Sequence, residues 1–134
     1  MINFISTGST YWLSDEEIQI LEKNATKGDK NSAFKLYQYH MFVSLDRDLE
    51  FKWLEIAAKN GHPIAQSNLA DLFFTQGNKE KAIFWAKKAY RNGAKLPDEL
   101  KILININWLI RFSGLSLQTQ NFWRRIKKRS QEIS

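Results

Sequence analysis

Two histidines, three groups of neighbouring carboxylates and one run of cations are the residues of this chain whose types and spacing suit chemistry. A metal site needs three or four convergent ligands. There is no cysteine, and His40 and His62 lie in separate segments. His62 belongs to the turn Asn60-Gly61-His62-Pro63 and reads as turn packing, while His40 reads as a partly buried aromatic on a helix face. Asp15 to Glu17, Asp46 with Asp48, and Asp98 with Glu99 have the closeness that acid–base pairs need. These groups fall mostly at helix starts, where a carboxylate meets the positive end of the helix dipole. No glycine-rich phosphate loop, no histidine pair at i, i+4 beside a glutamate and no nucleophile elbow is present. The expectation is a non-enzyme with no catalytic residues, no metal and no cofactor.

The cations are concentrated. Between Leu115 and Ser134, Arg124, Arg125, Lys127, Lys128 and Arg129 stand against a single acid, Glu132, so this segment carries +4 of the formal +6. Phe122, Trp123, Ile126 and Ile133 mark an apolar side of the same helix. Two readings stay open. One is a capping helix that buries one side and solvates the other. The other is a surface for an acidic protein, a phosphate backbone or an anionic membrane. Nothing in the segment is suited to reading base edges.

The elements that position these residues are helices. Six glycines and two prolines among 134 residues suit long helices with short turns, and no segment alternates as a strand does. Trp53, Ala57, Asn60 and Gly61 recur 32 residues later as Trp85, Ala89, Asn92 and Gly93, and Leu21 and Ala25 precede them by the same step. A large residue and an alanine at i and i+4 share one helix face. The first fills space between helices, the second lets a neighbouring backbone come close, and the glycine ends the helix. A leucine, Leu36 or Leu69, follows Gly28 and Gly61 by eight residues. The pattern predicts about seven helices, near 15–27, 31–43, 48–60, 63–75, 79–92, 97–113 and 116–131. Ser14 and Glu17 form a capping box at the first. Trp53 and Trp85 are assigned to the core, Trp12 and Trp108 to the packing of the two ends. The most apolar stretch, Ile102 to Leu117, is broken by Asn105, Asn107, Arg111 and Ser113 and falls short of the about 20 apolar residues of a membrane span. With no basic-then-apolar leader in Met1 to Leu13, the expected location is the cytoplasm.

The run Trp53 to Ala70 and the segment Lys79 to Ala89 resemble Sel1-like repeats, a branch of the tetratricopeptide-like helical repeats. The likeness extends from Gly28 to Gly93. The loops inside the units are shorter than is usual there, and Glu50 replaces the small residue found as Ala82. The resemblance implies an all-α, right-handed α–α superhelix forming one domain over 1–134. Residues 1–27 would be an N-terminal cap, 28–93 two repeats, and 94–134 a C-terminal cap ending in the basic helix. It also implies a concave groove to which Phe34, Gln38, Ser67, Asp71 and Phe74 are turned, with Phe34 and Phe74 equally readable as core. Small bacterial members of the family include immunity proteins. The function the resemblance implies is therefore binding of one protein partner, a secreted toxin with an acidic surface, neutralised by occlusion. A peripheral membrane or nucleic-acid factor acting through the basic helix, and a general cytosolic adaptor, are the alternatives.

Overall fold

The computed structural model describes residues 10–112 and 117–132, and among these all regular secondary structure is helical. The helices are α1 (Asp15–Thr26), α2 (Lys30–Tyr39), α3 (Arg47–Lys59), α4 (Pro63–Thr75), α5 (Lys79–Arg91), α6 (Asp98–Phe112) and α7 (Leu117–Glu132). Residues 1–9 of the expected N-terminal cap, positions 113 and 116 at expected helix ends, and Ile133 lie outside the described residues.

Helix starts follow local chemistry. The Ser14 hydroxyl accepts from the Glu17 amide at 3.2 Å, and the Glu17 carboxylate accepts from the Ser14 amide at 2.8 Å. Asp46 is the N-cap of α3 and accepts from the amides of Asp48 and Leu49. The acid at 46 therefore satisfies amides that a helix start leaves unpaired.

Helix ends use glycine. Gly61 has φ +94° and Gly93 φ +84°, so Gly61 and His62 donate back to Ala58 and Ala57, and Gly93 and Ala94 to Tyr90 and Ala89. These paired bonds satisfy carbonyls at the ends of α3 and α5. The end of α2 differs from the single helix expected over 31–43. After Tyr39 the chain widens into a π-helical turn, His40–Ser44, and stops at Leu45, a non-glycine residue at φ 56°. The His40 Nδ1 and the Ser44 hydroxyl, 2.7 Å apart, close a side-chain bond across that wide turn.

Packing runs between successive helices from α1 to α6, with an added contact of α4 on α6. Leu36, Leu69 and Leu100 are wholly buried, Trp53 and Trp85 nearly so, and the alanines at 57 and 89 have no exposed surface. The core thus holds the residues that recur in the sequence. Trp12 and Trp108 depart from the expectation, being 62% and 56% exposed. In α6 the face that meets the core carries Leu100, Leu103 and Ile104, and at about 100° per residue Trp108 lies just beyond its Ile104 edge. Before α1, Leu13 packs on the core in place of Trp12.

The contrast between Gly61 and Leu45 is testable. No atom lies within 4 Å of a Cβ built on Gly61, so Gly61→Ala should cost only its backbone strain, about 1–2 kcal/mol. Leu45→Gly should stabilise by up to about 1 kcal/mol, because it relieves the same strain. Urea unfolding of the two variants measures both signs.

Candidate functional site: a groove along α4

The buried side of α4 carries Ala65, Gln66, Leu69, Ala70 and Phe73. Helical spacing puts Ile64, Ser67, Asn68, Asp71 and Thr75 on the opposite side. That side floors two clefts. The larger, about 830 Å³, lies between the start of α4 and the α5–α6 turn, and includes His62, Ile64, Ser67, Asn68 and Lys95. The smaller, about 300 Å³, lies against α2 and α3 and includes Tyr37, Glu50, Asn68 and Asp71. Asn68 lines both, so the two meet along one helix. Its amide donates to the Tyr37 hydroxyl at 3.4 Å.

The ends of this groove differ in charge. Lys95 is exposed at one end, and Asp71 is exposed at the other. Glu50, beside Asp71, is bound to Arg47 at 2.7 Å and has little exposed surface. Ser67 is 7% exposed and lines the larger cleft. Pro63, Ile64, Leu96 and Pro97 add apolar walls. Apolar walls with a few placed polar groups are the usual make-up of a binding site.

His62 fixes the larger cleft's edge. It is the N-cap of α4, its Nδ1 accepting from the Ala65 amide at 3.2 Å, and its ring stacks on Phe34 with centroids 3.9 Å apart. Histidine is not among the residues that preferences for this position favour, so the sequence suggested turn packing alone. Gln66, on the buried side, is a second feature not singled out. Its amide nitrogen donates to the Ala58 carbonyl at 3.0 Å, and its oxygen accepts from the Asn92 side chain at 2.9 Å. One buried glutamine thereby ties the ends of α3 and α5 to α4. The recurrence of Asn92 and Asn60 was a signal for the former's role, but its partner lies 26 positions away.

Of the residues expected at a groove, Ser67 lines the larger cleft and Asp71 the smaller. Phe34 lines neither and acts through His62. Phe74 is partly buried against the core, and Gln38 is half-buried outside both clefts. Arg124, Arg125, Lys127, Lys128 and Arg129 are exposed on α7 and line neither cleft. Among the described residues, no three of His, Asp or Glu gather as metal ligands, and no helix is long and apolar enough to cross a membrane.

Burial holds the His62 imidazole below its ordinary pKa, with Lys30 acting in the same sense. Burial also lowers His40, outweighing the opposite pull of Asp46 and Glu22. Tyr37 is pushed up, again by burial.

No family model matches the chain, and no solved structure matches it. The chain is 35% identical over 95 residues to the uncharacterized protein YibG of Escherichia coli (strain K12). The match covers 66% of this chain and 62% of that protein, so the chain spans less than two thirds of that relative's length.

Two predictions follow from the buried polar groups. Gln66→Leu removes the side-chain bonds to the Ala58 carbonyl, which keeps the Gly61 amide, and to the exposed Asn92 amide, and should cost about 0.5–1.5 kcal/mol. Asn92→Ala should cost less, and the pair should be non-additive in a double-mutant cycle by urea unfolding. Because the folded state depresses the pKa of His62 and His40, it prefers their neutral forms. Their contribution is complete above the unfolded value of 6.5 and is lost as pH falls from there toward the folded values. Melting temperature should therefore drop between about pH 7.5 and about pH 5.5. His62→Asn, which keeps a cap without a titrating ring, should flatten that slope.

Proposed function

We propose that this chain is a protein–protein interaction module of the Sel1-like kind, with its helices wound as a right-handed α–α superhelix and its groove-lining side centred on α4. One observation carries the reading: Asn68 joins two clefts into which α4 turns Ser67 and Asp71, the positions a groove of this type would use. The succession of contacts from each helix to the next over α1 to α6 supports the superhelix.

The partner is one protein, and we take it to be a toxin neutralised by occlusion in the bacterial cytoplasm. Binding would lay an apolar segment against Ile64, Pro63 and Leu96, with Ser67 and Asn68 hydrogen-bonding its backbone. Lys95 and Asp71 would fix its direction by charge. Such a mechanism covers the partner's working surface and requires no bond to be made or broken. The cations of α7 favour an acidic area on whatever they meet. Because α7 separates its apolar and cationic sides, it also supports the second reading, a peripheral membrane factor.

The test is a pull-down from the native host with tagged protein, comparing the wild type with Ile64→Asp and Lys95→Glu. Both positions are exposed, so neither change should lower the melting temperature appreciably. One stoichiometric protein should be retained, arrest growth when expressed alone, be relieved by co-expression of this chain, and bind each variant at least about tenfold more weakly. A partner held equally by both variants would contradict the groove. A partner harmless on its own would contradict the toxin.

A further inference from the structure

The most sharply two-sided helix of the seven is α7, and the groove makes no use of it. At about 100° per residue, Phe122, Ile126 and Trp123 fall within one sector about 100° wide. Arg124, Arg125 and Lys128 lie on the other sides, while Lys127 and Arg129 stand at the two borders of the apolar sector. Phe122, Trp123 and Ile126 are 56%, 51% and 43% exposed. Ser130 falls in the same sector, but its hydroxyl donates to the Lys127 carbonyl at 2.8 Å and so brings no unmet donor to the apolar side.

We propose that α7 lies on an anionic membrane surface, with Phe122, Trp123 and Ile126 set into the boundary between headgroups and acyl chains and the cations of its other sides at the lipid phosphates. A helix with a strongly charged side, low overall hydrophobicity and Trp and Phe on its apolar side is built for that plane. With 16 residues rich in cations it lies on the surface and does not cross. Charge complementarity selects the occupant: Arg124, Arg125, Lys127, Lys128 and Arg129 face a single acid, Glu132, on this helix. Each cation near an anionic bilayer strengthens binding about fivefold.

A charge outside the helix points the same way. Lys79, in the first turn of α5, holds Lys127 below its ordinary pKa. A lysine there also meets the positive end of the α5 dipole. Lipid phosphates would supply the counter-charge that these two amines lack in each other.

A nucleic acid fits less well. Single strands stack bases on aromatic rings in the same groove that holds their phosphates. On α7 the rings and most of the cations are on different sides. This inference does not depend on the α4 groove.

The test is flotation of the full chain with phosphatidylcholine vesicles, with and without phosphatidylglycerol. The chain should float with the phosphatidylglycerol vesicles and stay behind with phosphatidylcholine alone. Neutralising the five cations to Gln should weaken binding at least about a hundredfold. Trp123→Ser with Ile126→Asp should abolish it with the cations intact, both variants keeping wild-type helicity by circular dichroism. In the unaltered protein, brominated acyl chains should quench the fluorescence that Trp123→Phe removes, a readout that needs no surface variant to fold. Failure to float with anionic vesicles would overturn the proposal. So would binding unchanged by the apolar variant, or capture of single-stranded nucleic acid or an acidic protein through α7 in place of vesicles.

Discussion

Seven alanines on α2 to α5 have no exposed surface: Ala33, Ala57, Ala65, Ala70, Ala82, Ala86 and Ala89. They set how near the helices come to one another, and everything else is arranged around that separation. Where a larger side chain is needed, Trp53, Trp85, Leu36 and Leu69 fill the space left over. Inserting carbon at the alanines would push helices apart and force off-rotamer neighbours, which generally costs about 1–3 kcal/mol. The close approach also brings polar groups at helix ends within reach of one another. The bonds of Gln66 to Ala58 and Asn92 depend on it.

The central helix is α4. It touches α3, α5 and α6, and reaches α2 through Asn68 on Tyr37 and His62 on Phe34. Its buried side is the keystone of the core, and its opposite side is the floor of the groove. A rigid element with one side fixed in a core is a good base for a recognition surface, because side chains on the free side need little further ordering on binding. The C-terminal end of the chain is different in kind. Outward on α6, Ile102, Ile106 and Leu109 remain exposed, and α7 exposes its aromatic side. The α4 groove is thus part of the folded core, whereas the surfaces of α6 and α7 are not covered by it.

Much of this was legible in the sequence. Trp and Ala recurring at one interval marked residues that point inward, Gly at the same interval marked helix ends, and caps such as Ser14 with Glu17 marked helix starts. Both signals are local, resting on periodicity and on bonds between residues three or four apart. Other features are set by residues far apart in the chain. The role of Gln66 depends on Asn92, that of His62 on Phe34, and the cleft at Lys95 on a turn meeting α4 across space. The π-helical turn at His40–Ser44 escaped for a different reason: helical spacing alone does not distinguish a wide turn from an ordinary one, and the His40–Ser44 bond shows itself only in three dimensions. Trp12 and Trp108 were assigned to the packing of the two ends from residue type, and both are more than half exposed.

Native-state hydrogen exchange tests the central role of α4 most directly. If the close packing about its alanines holds the fold together, the amides of Leu69, Ala70 and Phe73 exchange only through global unfolding and are the slowest in the chain. Those of α7, with its exposed apolar and cationic sides, exchange through local opening and are much faster. Amides of α4 exchanging as fast as those of α1 or α7 would contradict the account, because α4 would then open independently of the helices it is said to hold together.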